Sequence, residues 1–231
     1  MARLLALALL VLAAGCGGDE RALPQGSDPV EIDPARFTSE IDHPFWPMAP
    51  GTTWVYREGD QRVEVTVTER TRTVMGVETR VVHDLVTEDG VPVEDTYDWY
   101  AQDDDGNLWY FGEDTTEFED GKPVGHAGAW EAGVDGALPG ILLPADPEVG
   151  MTYRQEYDRG EAEDRARVLD LDATVSVPLG DFTGALRTED TTPLEPGVVE
   201  HKFYVREIGP VLALKVKGDT GREELVRFSR P

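Results

Sequence analysis

The sequence predicts an all-β fold: a curved antiparallel sheet or incomplete barrel of about ten to twelve strands, with no major helix after the leader. Three observations carry this. Residues 61–72 alternate with a period of two, Val63, Val65 and Val67 on one face and Glu64, Thr66 and Thr68 on the other. Short apolar or aromatic runs recur between turns rich in Gly, Asp and Pro. The one stretch that could make helical turns, RGEAEDRA at 159–166, has no Ile, Val or Leu to form a stripe for burial.

The chain starts with a basic residue, Arg3, then a run of Leu, Ala and Val from Leu4 to Leu12, closed by Ala13-Ala14-Gly15-Cys16. The run is too short to span a bilayer as a stable helix and fits a secretory leader over residues 1–15. Ala-Ala-Gly-Cys resembles the processing site of bacterial lipoproteins, with Ala13 where that family prefers leucine. The resemblance implies cleavage before Cys16, acylation of Cys16, and attachment to a membrane of the cell envelope through the acyl chains. Gly17 resembles the outer-membrane sorting pattern, which in a Gram-negative source would place the protein in the outer membrane, facing the periplasm. With Cys16 modified no thiol is left, which excludes disulfides, thiolate zinc sites and cysteine nucleophiles.

Residues 16–36, rich in Gly, Asp, Pro, Ser and Gln, are expected to be a flexible tether. Residues 37–231, about 195 in all, suit a single β domain able to bury a core without disulfides. Without Arg3 the chain has 20 basic against 46 acidic residues, which argues against a nucleic-acid partner and against anionic lipid surfaces.

Within the domain, His43 to Gly51 carries three prolines that prevent regular pairing, with Phe45 and Trp46 expected to plug one end of the core. Strands follow at 52–57, 61–72 and 78–88. Residues 93–113, VEDTYDWYAQDDDGNLWYFGE, read as a hairpin of two aromatic runs that hold three of the seven tyrosines and two of the five tryptophans. Asp104-Asp105-Gly106 suits a three-residue loop in which Asp103 faces Asn107. The rungs are then Ala101 to Trp109, Tyr100 to Tyr110 and Trp99 to Phe111. One face carries Tyr97, Trp99, Ala101, Trp109 and Phe111 and is assigned to the core. The other carries Asp98, Tyr100, Gln102, Leu108 and Tyr110, a mixture that suits a half-exposed surface, and Tyr100 and Tyr110 are its candidate ligand-binding residues. Residues 133–144, with three glycines and two prolines, read as an apolar loop packed as a flap over the core or serving as a lid. Further short strands are expected from 151 to 229.

Two segments resemble exported bacterial proteins. Pro50-Gly51-Thr52-Thr53-Trp54-Val55-Tyr56 is similar to the Pro-Gly-x-x-Trp-x-Tyr opening of uncharacterised lipoproteins and periplasmic β proteins. Val177-Pro178-Leu179-Gly180-Asp181-Phe182, then Phe203-Tyr204 and Gly209-Pro210-Val211, is similar to their closing pattern. The resemblance implies a curved sheet or incomplete barrel loosely like lipoprotein carriers, and implies no catalytic residue.

The chemistry-bearing residues are sparse. His43, His83, His126 and His201 lack helical zinc spacing, the Asp103–Asn107 turn lacks the first and twelfth carboxylates of an EF-hand loop, and no Gly-x-Ser-x-Gly elbow occurs. Neither a metal, a cofactor nor a catalytic residue is expected. The leading expectation is a non-catalytic binding or carrier module for an apolar or amphipathic ligand. A structural lipoprotein acting through protein contacts, and a hydrolase with scattered acids, are the alternatives. A concave cluster of carboxylates with shifted pKa would favour the last.

Overall fold

The computed structural model describes residues 23–231. The leader and Cys16 lie outside the described residues. The fold is all-β, one large antiparallel sheet nearly closed into a barrel. Its strands are β1 (Phe37–Thr38), β2 (Thr53–Glu58), β3 (Gln61–Val74), β4 (Val77–Glu88), β5 (Val91–Asp103), β6 (Leu108–Glu119), β7 (Lys122–Gly125) and β8 (Trp130–Glu131). After these come β9 (Leu138–Leu143), β10 (Thr152–Arg154), β11 (Glu156–Tyr157), β12 (Arg165–Val177), β13 (Gly180–Thr191), β14 (Val199–Val205), β15 (Gly209–Lys217) and β16 (Arg222–Ser229).

The sheet order runs β10-β12-β13-β14-β15-β16-β2-β3-β4-β5-β6-β9-β11. Its two ends, β10 and β11, are consecutive in the chain and separated by Gln155 alone. One extended segment, 152–157, therefore pairs with β12 through its first half and with β9 through its second, and so closes the seam. Gly140 on β9 makes the close approach possible. A Cβ there would lie 2.3 Å from the carbonyl carbon of Gln155. This is also why residues 138–143 are a strand rather than the loop expected from Pro139 and Gly140. Pro139 has no N–H to place, and its carbonyl accepts from Arg154 Nη2 at 2.8 Å. The strand count exceeds ten to twelve because β9 and several two- to four-residue pieces pair as well.

The central hairpin forms as its residues dictate. Asp103 N–H donates to the Asn107 carbonyl and Gly106 N–H to the Asp103 carbonyl, with Gly106 at φ +95°. The rungs Tyr100–Tyr110 and Ala101–Trp109 are present. The third is not, because a bulge intervenes: Asp98 pairs with Glu113, so Trp99 alone on β5 stands opposite Phe111 and Gly112 on β6. Gly112, at φ +128°, is the residue that permits it, since a Cβ there would lie 2.3 Å from the Trp130 carbonyl oxygen. The bulge reverses the alternation, so Tyr110 and Glu113 both face inward.

The face assignment needs correction. The face with Asp98, Tyr100 and Tyr110 is the barrel interior, and Tyr100 and Tyr110 are each only 7% exposed. The opposite face is buried too, beneath other chain. Phe37 packs edge-on against Trp109 and Phe111, and the Arg72 guanidinium lies 4.0 Å over the Trp99 ring. Arg36 pairs with Asp104 and Asp105 at the turn, while Asp103 accepts from Asn107 and from Trp109 Nε1. The turn acids are thus engaged by protein donors.

From Leu23 to Arg36, part of the segment expected as a tether, the chain lies against the domain. Arg154, 1% exposed, donates from Nη1 to the carbonyls of Gly26 and Asp28, each at 2.7 Å. At the other end of the core His43 is fully buried, its Nε2 donating to the Pro144 carbonyl at 3.0 Å, which leaves it neutral because burial lowers its pKa.

Candidate functional site

Inside the barrel is a cavity of about 390 Å³. The alternation of the strands decides what lines it. On β3, Val63 and Val65 face it. On β4 the residues in phase with them are Val82 and then Asp84. Asp98 on β5 pairs with Val82, and Glu113 on β6 pairs with Asp98, so three carboxylates occupy positions where the pattern calls for core side chains. Glu156 reaches the cavity from β11, Asp164 from the turn before β12, and Glu223 from β16. Tyr56, Tyr100, Tyr110, Tyr204 and Trp46 supply the aromatic surface. Tyr100 and Tyr110 stack, with centroids 4.8 Å apart, and Trp46 packs against both Tyr100 and Tyr204.

Among the described residues the one cation in the lining is Lys202 on β14. Its Nζ stands 3.2 Å from Asp190 and 3.5 Å from Glu200. Burial disfavours the ammonium, but the neighbouring carboxylates of Asp190, Glu200 and Asp164 outweigh that and hold its pKa well above the usual value. No salt bridge among the described residues reaches Asp84, Asp98 or Glu113. Burial raises all three, Asp84 well above the carboxylate range, Asp98 to about 6 and Glu113 to about 9. Nearby acids add to it, Asp98 acting on Asp84 and Glu113, and Glu94 on Asp98, while hydrogen bonds from Tyr110 and Tyr100 hold Asp98 lower. Burial likewise raises Glu156 to about 8 and Glu223 to about 7, and raises Asp164. Glu156 accepts from Trp130 Nε1 at 3.1 Å.

The phenol of Tyr110 links two of these groups. Its oxygen is 2.7 Å from Asp98 Oδ1 and 2.8 Å from Glu113 Oε2. Among the described residues three polar atoms of lining residues have no hydrogen-bond partner, Trp46 Nε1, Asp84 Oδ1 and Gln155 Nε2, and Gln155 is 4% exposed. The cavity can therefore accept hydrogen bonds and positive charge on its β4–β6 side, offer an amide donor at the seam, and cover an apolar or aromatic body with tyrosine and tryptophan faces.

Tyr100 and Tyr110 lie together in this lining, as the hairpin register brings them. Cys16 lies outside the described residues. His83 on β4 instead bonds Asp95 at 2.7 Å and stacks on Tyr97, and His201 stands 3.9 Å from Glu189. Among the described residues no group of three or more His, Asp or Glu side chains converges as a metal-ligand set. Sequence reasoning missed Asp84, Glu156, Asp164, Lys202 and Glu223. For Asp84 a signal existed, an acid in phase with the valines of its own strand. For Glu113 the signal was the glycine before it, which marks a bulge. No protein-family model matches the chain, and neither does any curated protein or solved structure.

Proposed function

We propose that the protein is a non-catalytic binding module whose barrel holds a small amphipathic organic cation, an amine with an apolar or aromatic body, and that it is carried on the cell envelope by acyl chains on Cys16. The observation that carries the reading is the cavity lining: six carboxylates and a single lysine among four tyrosines and a tryptophan. Desolvated carboxylates with no cation of their own favour a ligand that brings one. Aromatic faces favour an ammonium group and cover its hydrocarbon. Of the two ligand classes expected from sequence, apolar and amphipathic, the lining supports the second. An apolar ligand would leave the carboxylates and the Gln155 amide desolvated without a partner.

Native mass spectrometry of the protein released from its host membranes in mild detergent tests both halves. A copurified basic small molecule, on a chain carrying acyl mass at Cys16, is the expected result. A copurified fatty acid or neutral lipid in the barrel would contradict the cation reading.

The Asp98–Glu113 pair also suits acid–base hydrolysis, the least favoured alternative. The two carboxylates sit side by side on one phenol rather than across a bond to be cleaved, which supports binding over catalysis. Turnover of p-nitrophenyl glycosides that is lost in Asp98→Asn would reverse that order.

A further inference from the structure

The hydrogen-bond geometry at Tyr110 is satisfied in full by one proton beyond that of the phenol, held by one of the two acids. A phenol has one hydrogen, yet the Tyr110 oxygen lies at hydrogen-bonding distance from both Asp98 Oδ1, at 2.7 Å, and Glu113 Oε2, at 2.8 Å. Its one hydrogen makes a full, linear bond to only one carboxylate at a time. The other contact becomes a second full hydrogen bond when that carboxyl group is itself protonated and donates to the phenol oxygen. The arrangement is then a chain in which an acid O–H donates to Tyr110 and Tyr110 donates to a carboxylate. Of the two acids, Glu113 holds its proton more firmly: burial, then the charge of Asp98, raise it to about 9, whereas Asp98 stands at about 6.

We propose that this chain is the cation site in its ligand-free state, and that an organic ammonium binds by replacing the proton of Glu113. The proposal rests on the cation reading given above and deepens it. On binding, the Glu113 O–H bond breaks and its proton leaves to solvent. The ammonium keeps all its hydrogens and donates to the Asp98–Glu113 carboxylates, so the site exchanges one positive charge for another. The groups that face the Asp98–Glu113 pair are Glu94 and Tyr100 from β5, Asp84 from β4, Tyr110 from β6 and Glu156 from β11. All are acids or phenols, and among these neighbours no base competes for the proton. Lys202 acts on Glu156 and is already paired with Asp190 and Glu200. A second, independent feature aims at the same cavity: the Gln155 amide, 4% exposed, whose Nε2 has no partner among the described residues.

Exchange makes affinity depend on pH in a set direction. Below the Glu113 pKa the ligand must displace a proton, so Kd rises on the order of tenfold for each unit the pH falls from 9 towards 6. Below that range Asp98 protonates as well and binding weakens further.

Phenethylamine serves as the probe, titrated calorimetrically at pH 7 in two buffers of different ionisation enthalpy. Release of close to one proton per phenethylamine bound is expected, and no release with Glu113→Gln, whose amide mimics the protonated acid and cannot be displaced. Infrared spectra of the ligand-free protein provide a check that needs no ligand. The difference spectrum of wild type minus Glu113→Gln at pH 7 should contain one protonated carboxylic-acid band, over the bands of the other raised acids common to both proteins. Binding without proton release would overturn the exchange. Absence of that band from the difference spectrum would overturn the shared proton. A wild-type protein that shows the band but does not bind phenethylamine would overturn the cation reading and take the exchange with it.

Discussion

On the β14 side of the cavity Lys202 stands 3.2 Å from Asp190, and Thr188 Oγ1 donates to the other Asp190 oxygen at 2.6 Å. On the β4–β6 side Asp84, Asp98 and Glu113 have tyrosines for neighbours and no salt-bridge partner among the described residues. Both walls bury carboxylates. One meets the desolvation cost with a lysine, the other by raising pKa values until a proton stays bound. The first arrangement is complete within the protein. The second is complete only while the proton is held, and it is the wall that an incoming cation can change.

The largest way to break this comparison is to remove the cation from the complete wall. Lys202→Met leaves Asp190 and Glu200 without their partner and is expected to cost about 3 kcal/mol, read from urea denaturation midpoints. If Lys202→Met matches wild type, the β14 wall does not depend on its ion pair.

Gly112→Ala comes next. A Cβ cannot occupy φ +128° without strain and would collide with the Trp130 carbonyl oxygen, so about 2 kcal/mol should be lost and Glu113 turned from the cavity. A crystal structure of Gly112→Ala that retains the Asp98–Glu113 pairing would contradict this.

The pH dependence separates the walls by sign. The raised carboxylates have folded pKa values of about 6 to 9 against about 4 when unfolded, so the native state binds more protons across that interval. Stability must then fall as pH rises from about 4 to 9. Lys202, its pKa raised, keeps its full contribution over the same range. Melting temperatures are expected to be lower at pH 9 than at pH 5. Glu113→Gln should be the more stable protein at pH 9 and differ little from wild type at pH 5, because glutamine stands in for the protonated acid. Equal slopes for the two proteins would place the proton elsewhere.

The smallest expected effect is Tyr110→Phe. It removes one phenol and two hydrogen bonds but leaves the acids free to share their proton directly, a loss of about 1 kcal/mol by the same urea titration.

Much of the fold was legible because its signals are local. Alternation at Val63, Val65 and Val67 gave the period, and Asp104-Asp105-Gly106 the turn. The seam was not legible, because Pro139 and Gly140 read as loop residues until the backbone of Gln155 is brought against them. The candidate site was half legible. Tyr100 and Tyr110 follow from the hairpin register alone. Their surroundings do not: the outer face of the hairpin is covered by Phe37 and Arg72, each distant in sequence, so the polar face could turn inward. Glu156, Lys202 and Glu223 arrive from strands paired far along the sheet, and no local pattern announces a buried acid.

The most direct test is to titrate phenethylamine against 2-phenylethanol, which has the same body and a hydroxyl in place of the ammonium, by calorimetry at pH 8 with the wild-type protein. The proposed site should bind the amine at least tenfold more tightly, and Asp98→Asn should remove most of that preference. Equal affinity for the alcohol, or a preference for it, would show that the carboxylates of the β4–β6 wall do not select positive charge.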